Sequence, residues 1–595
     1  MTASTEYEAA LQALLADAEG LADEARLGRF LDVQLRYELA ESPEQSYLVG
    51  EPQPGAGGTD LSLDAVAERH RLLDLRLEVL ESIDAQGLAR EDCLNHELAL
   101  RAARSAAEGR RFPSHLMPLN QIDGPQHAAP MSLRDMPAYT TADLAAVVHR
   151  LALLPAHLDQ ARVLLEEGLT AGVTPPRVCL GDVPRQVEAL MPARPEDSPL
   201  LGPLAGAGTI PSVPAADRRR LRAQAEAVLV DDVYPALRRL HRFLVEAYLP
   251  GARETVGLRD LPDGEAWYAW AVADVTAGDL GPEGIHAVGR AEVERLTTDL
   301  EVVVAEVGFD GTLPELFAWA QADARFLVPS ADELVARYRD LCKRVDPELP
   351  RLFAVLPRLP YGVSPMPDHA SASAPAAYYL PGSRRVGRPG VFWVNTYDLP
   401  SRPTWEMVPL ALHEAVPGHH LQIALADELE GIPPFRRHAY EWAYVEGWGL
   451  YAESLGRELG LYHDPWARFG SLVFEIWRAA RLVVDTGIHA LGWTRDQAID
   501  FFGQRTGKPG HDVEVEIDRY IVWPAQALAY TVGALAIKRL RADAEATLGP
   551  AFDLRAFHHR VLAEGPLPLD VLAREVRRWI TTEAAAAFGP AGGGR

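Results

Sequence analysis

Apolar residues recur at three- and four-residue intervals through most of this chain, and that periodicity constrains its fold more than any other feature. Ala9 to Leu39, Leu61 to Ala106, Thr141 to Gly168 and Ala215 to Tyr248 follow it, in segments dominated by Ala, Leu, Glu and Arg. A strand would need alternation at every second residue, so the chain is predicted to be mainly α, as one helical fold over 1–595. A subdivision into an N-terminal part, 1–200, and a catalytic part, 215–595, is open. Glu51 to Ser62 and Pro192 to Ala215, rich in Gly and Pro, read as a surface loop and as a long loop or boundary. Leu359 to Pro403 differs. There Ala377-Tyr-Tyr-Leu-Pro and Gly390-Val-Phe-Trp-Val-Asn-Thr-Tyr flank the turn-rich Pro381 to Pro389, which predicts a small β-hairpin. An edge strand there would suit an extended peptide.

The strongest motif follows at once: Leu410-Ala-Leu-His-Glu-Ala-Val-Pro-Gly-His-His-Leu-Gln422. In His-Glu-x-x-His, two imidazoles one helical turn apart hold a metal and the Glu acts as base. Here the next histidines come at i+6 and i+7. On a regular helix i+6 lies about 120° from His413, and i+7 sits about 10.5 Å along the axis. Pro417 removes a backbone donor and clashes with the carbonyl four residues back, and Gly418 tolerates unusual angles. Together they predict a bulge that brings His419 round to His413. His413 and His419 are the expected ligands, with His420 as second choice or as a substrate contact, and Glu414 is the expected base.

A catalytic metal site needs a third protein ligand and an open position. His438-Ala-Tyr-Glu-Trp-Ala-Tyr-Val-Glu-Gly-Trp-Gly-Leu-Tyr-Ala-Glu453 is aromatic on every side and so reads as a buried helix. A buried carboxylate there must be paired or bound to metal. Glu446 is the expected ligand, with Gly447 and Gly449 permitting close approach. Glu441 and Glu453 are its rivals, and Glu453 could instead orient a ligand histidine.

His-Glu-x-x-Pro-Gly-His-His and Glu-Gly-Trp-x-Leu-Tyr-Ala-Glu resemble the signatures of a bacterial family known as domain of unknown function 885. That family is grouped with the Glu-liganded zinc peptidases, its fold similar to the carboxypeptidase Taq family and, more distantly, to thimet oligopeptidase. The resemblance implies a large helical fold with a deep cleft. It supplies no substrate.

Further on, the apolar segment Leu472 to Trp493 carries Arg481, Asp485 and His489 at i, i+4 and i+8. This stripe is either an ion-pair ladder or part of the site. In the second case Arg481 contacts substrate and His489 helps to stabilise the transition state. Tyr520 and Tyr530, in a segment that also resembles the family, are candidates to hold a developing oxyanion, as tyrosines do in similar zinc peptidases. Arg384, Arg385 and Arg388 lie near the hairpin, where a free-carboxylate clamp would need a cation.

These residues predict a zinc-dependent hydrolase cleaving peptide or amide bonds. Mn²⁺ and Co²⁺ suit the same ligand types. Two other readings stand beside it: a hydrolase or lyase of a non-peptide amide or specialised metabolite, and a peptide-binding protein without catalysis. Acidic residues outnumber basic ones 84 to 58, for a net charge of -26, which disfavours nucleic acid and anionic membranes as partners. Only three cysteines occur, Cys93, Cys179 and Cys342, far apart, and no basic-then-apolar leader is visible, so the expected location is cytoplasmic. Oligomeric state is not encoded in any recognisable feature.

Overall fold

The computed structural model describes residues 2–16, 20–46, 57–204, 212–366, 371, 375–508 and 510–588. Its elements are almost all helices, with one small sheet. The periodic segments form helices, cut where capping chemistry intervenes. Ala9 to Leu39 becomes Ala3–Ala16 and Asp23–Glu41, and Leu61 to Ala106 becomes Leu63–Glu81 and Arg90–Gly109. Thr141–Ala171 runs for 31 residues between a Thr140–Asp143 capping box and Gly172 in the left-handed conformation.

The chain forms two compact units: Met1–Val256 with Asp260–Trp267, and Gly257–Arg259 with Tyr268–Arg595. In the first, Leu144, Val147, Leu151 and Leu158 face Leu229, Val233 and Leu237 in one apolar core. Pro192 to Ala215 is not an open loop in its described part. It turns through short 3₁₀ helices at Pro195–Asp197 and Pro199–Leu204, and buries Leu200, Leu201 and Leu204 in that core. Residues 205–211 lie outside the described residues, as do 51–56 of the predicted Glu51–Ser62 loop; 57–62 carry neither helix nor strand. No single described helix is long and apolar enough to cross a membrane.

The second unit holds the sheet: β1 (Tyr361–Pro365), β2 (Ala377–Leu380) and β3 (Gly390–Val394), in the order β1-β3-β2. β2 and β3 form the predicted antiparallel hairpin, with Tyr379 opposite Phe392. β1 was not expected. It pairs parallel to β3, Tyr361 opposite Gly390, so β3 is central and β1 and β2 are the edges. Tyr-Gly-Val-Ser-Pro is short and ends in proline, and it becomes a strand only because β3 supplies its partner.

Candidate metal centre

The predicted bulge is a complete break. One helix, Met407–Glu414, ends at the proposed base, and a second, His419–Asp427, begins at the proposed ligand. The chain reverses through Ala415 to Gly418. A Cβ on Gly418 would lie 1.9 Å from the His413 carbonyl oxygen, so only glycine fits. Trp448 donates from Nε1 to the Pro417 carbonyl at 2.9 Å, and His420 N–H donates to the Ala415 carbonyl at 3.1 Å, which fixes the reversal. Two separate helix ends can aim their imidazoles at one point, which one continuous helix could not at this spacing.

His413 and His419 meet edge to face, ring centroids 4.6 Å apart. Glu446 arrives from the Trp442–Ser454 helix, its Oε2 lying 3.6 Å from His413 Nε2 and 3.5 Å from His419 Nε2. Among the described residues, this trio is the group of His, Cys, Asp and Glu placed to hold a metal ion, its ligand atoms all within 4.8 Å of one another. Tetrahedral zinc with bonds of about 2.0–2.1 Å places its donor atoms about 3.3 Å apart, close to these separations. The residues present fit the ion.

The electrostatics agree. Burial opposes charge on His413, but hydrogen bonds to Glu446 and Glu453, with the charges of Glu453 and Glu414, lift it to about 10. Burial would raise Glu446, yet His413 and His419 hold it well below the usual carboxylate range. Such a pocket calls for positive charge, as protons or as a divalent cation. His413 Nδ1 donates to Glu453 Oε1 at 2.8 Å, leaving the Nε2 lone pair pointing at the trio. Glu453 is thus placed as the orienting group and not as a ligand. Glu441 sits at the N-cap of the same helix. No described residue pairs with His419 Nδ1.

Glu414 closes the first helix beside His413 and is buried, its charge acting on both His413 and Tyr440. None of the described residues hydrogen-bonds its carboxylate, which suits a group that must take and release a proton.

The remaining candidates divide. Tyr530 joins the centre: its ring stacks on His413, centroids 6.2 Å and planes 20° apart. Arg519 Nη2 donates to its hydroxyl at 3.4 Å, so the phenol keeps its own proton to give. Tyr520 does not. Its hydroxyl accepts from Arg481 Nε at 2.7 Å and donates to Glu516 Oε2. Arg481 is buried, its guanidinium 4.4 Å from the centre of the Tyr530 ring, so it supports that tyrosine from behind and does not present itself to a substrate. His489 also faces away. Its Nδ1 accepts from the Leu258 N–H at 3.0 Å and its Nε2 donates to the Tyr520 carbonyl at 2.9 Å, which occupies both nitrogens. Nor is the stripe an ion-pair ladder: Arg481 pairs with Glu516, while Asp485 accepts from Tyr268 and from the Ala525 N–H.

His420 turns towards the sheet, where its Nδ1 lies 2.9 Å from the Tyr379 hydroxyl and its ring 4.5 Å from that of Tyr361. Burial pushes it down to about 4, so it is a neutral strut between helix and sheet. Arg384 and Arg385 line a pocket with Asp427, Glu428 and Arg437, and Arg388 closes the hairpin turn by bonding to Ser383. Sequence reasoning missed Tyr440 as a site residue; its hydroxyl donates to Glu446 Oε1 at 3.3 Å. The clue was its position, six residues before Glu446.

A family model described as bacterial protein of unknown function (DUF885) matches residues 43–576. The chain belongs to this family. Among solved structures, the chain is similar to one described as a "putative lipoprotein" from Colwellia psychrerythraea, at 27% identity and a TM-score of 0.87, over 94% of this chain and 100% of that one. A Shewanella oneidensis protein described in the same terms, and as of unknown function, shares the fold at 16% identity and a TM-score of 0.64, over 92% of this chain and 99% of that one. No curated protein matches the sequence.

Proposed function

We propose that this member of the DUF885 family is a zinc-dependent hydrolase that cleaves peptide or amide bonds. One observation carries the reading: His413 Nε2, His419 Nε2 and Glu446 Oε2 converge within 4.8 Å, with Glu414 adjacent in sequence to the first. A zinc ion held by these three side chains would polarise the scissile carbonyl and lower the pKa of water towards about 7. Glu414 takes the proton from the attacking water and passes it to the leaving nitrogen. Tyr530, its oxygen already accepting from Arg519, directs its proton at the oxygen on which charge develops. Glu453 keeps His413 in the tautomer that presents Nε2.

The test begins with metal analysis of the purified chain and of His413→Ala. About one zinc per chain, lost in the variant, is expected. Wild type and Glu414→Gln are then compared on peptides with free and blocked ends. Glu414→Gln should keep its metal and lose hydrolysis. A chain without metal, or an undiminished Glu414→Gln, would overturn the proposal, and cleavage of only non-peptide amides would move it to the other substrate class. Location is a separate question. The wide cysteine spacing suits the cytoplasm, while the two solved relatives are described as lipoproteins. Cell fractionation decides it.

A further inference from the structure

A path of contacts leaves the centre at Glu446 and returns to it at Tyr530, and the hydrolytic chemistry uses only its ends. From Glu446 the path runs to Tyr440, whose ring meets Trp442 at 4.6 Å and 68°. Trp442 meets Trp523 at 5.3 Å and 83°. The Arg519 guanidinium lies 5.6 Å from the centre of the Trp523 ring and, besides binding Gln526 Oε1 and Glu516, donates to the Tyr530 hydroxyl, which returns the path to His413.

Tyr440 is 49% exposed and Trp523 41% exposed. Single exposed aromatics need no explanation. A row of three in successive contact, with one end hydrogen-bonded to a candidate ligand, is different, because it links exposed aromatic surface to a side chain of the metal trio. The edge-to-face contacts leave Tyr440 and Trp523 partly exposed, as contact with a further ring would require. At the far end Arg519 and Arg481 share one carboxylate, Glu516, so the row ends in net positive charge.

We infer that Tyr440, Trp442 and Trp523 form the substrate-binding wall of this centre and take an aromatic side chain of a peptide, close to the bond that is cut. This rests on the hydrolase reading and adds the class of substrate. Contact with the wall holds the peptide backbone across His413 and His419, while Arg519, between wall and Tyr530, couples occupancy of the wall to the position of the Tyr530 hydroxyl. A basic side chain is disfavoured there by Arg519.

The test uses binding, so that it does not depend on turnover. Zinc-loaded, full-length Glu414→Gln is titrated calorimetrically with an all-alanine hexapeptide and with hexapeptides carrying one Phe at successive positions. At least one Phe peptide should bind about tenfold tighter than the alanine peptide, a difference of about 1.4 kcal/mol. Adding Trp523→Ala should erase that ratio, and Tyr440→Ala should reduce it; circular dichroism checks the fold of both. Equal affinities for Phe and Ala peptides, no binding of any peptide, or an unchanged ratio in a folded Trp523→Ala variant would overturn the inference. The hydrolase reading fails on different evidence, namely absence of zinc or of cleavage by wild type.

Discussion

Nδ1 of His413 lies 2.8 Å from Oε1 of Glu453, seven residues beyond the Glu446 that approaches the opposite nitrogen of the same ring. Seven residues are about two helical turns, so both carboxylates lie on one face of the Trp442–Ser454 helix. Gly449 sits between them, where a Cβ would come within 2.7 to 3.0 Å of the His413 ring atoms. The helix is a cradle for a single imidazole.

Glu453→Gln removes the acceptor charge behind His413 but keeps the shape. Zinc affinity, measured by competition with a chelator, should fall by about 10- to 100-fold, the usual effect of losing such a partner. An unchanged affinity would show that Glu453 does not orient the ring.

Two glycines on this helix should respond differently. A Cβ at Gly449 meets a side chain that can tilt, so Gly449→Ala should weaken zinc binding by about tenfold or more. A Cβ at Gly447 meets backbone, 2.4 Å from Gly533 Cα on the Ala529–Leu548 helix. Gly447→Ala should therefore destabilise the fold, by about 1–3 kcal/mol. Thermal melts and metal titrations of both variants separate the two effects.

Tyr530→Phe should lower kcat for peptide hydrolysis by about 10²–10³, the range for losing an oxyanion donor. Tyr520→Phe should lose less than about tenfold in kcat but cost about 1–3 kcal/mol of stability, because it strips a buried hydroxyl from between Arg481 and Glu516. Equal kinetic losses in the two variants would contradict the placement of Tyr520 behind the site.

His558 gives a pH prediction away from the centre. It is fully buried, its Nδ1 and Nε2 engaged by the Leu352 carbonyl and the Tyr451 hydroxyl, and burial pushes it down to about 4. Unfolded, it titrates near about 6.5. Between these values the unfolded chain binds the extra proton, so stability falls as pH drops from about 6.5 to 4, by up to about 3 kcal/mol, and the contribution then levels off. Urea denaturation across that range should show a shallower pH dependence in His558→Gln than in wild type.

Much of the centre is legible in the sequence. His413 and Glu414 lie in an apolar segment and Glu446 in one that is aromatic on every side, both of which read as buried helix, and the Pro-Gly pair marks where the first helix must fail. That failure is local sterics, so it can be read without a fold. The choice between His419 and His420 cannot. It depends on the sheet, where Tyr379 and Tyr361 engage the His420 ring and leave His419 to the trio. Arg481, His489 and Tyr520 show the same limit. Their residue types suit a site, but the Leu258 N–H, the Tyr520 carbonyl and Glu516 occupy them first.

The sequence alone determined a helical protein, a hairpin before the motif, and the break after Glu414, because helical period, proline and glycine act over a few residues. Only the tertiary structure decided that β1 joins the sheet, that His419 and not His420 faces Glu446, and that Tyr530 stacks on His413 while Tyr520 turns away. Those outcomes depend on partners tens of residues away, and no local preference specifies them.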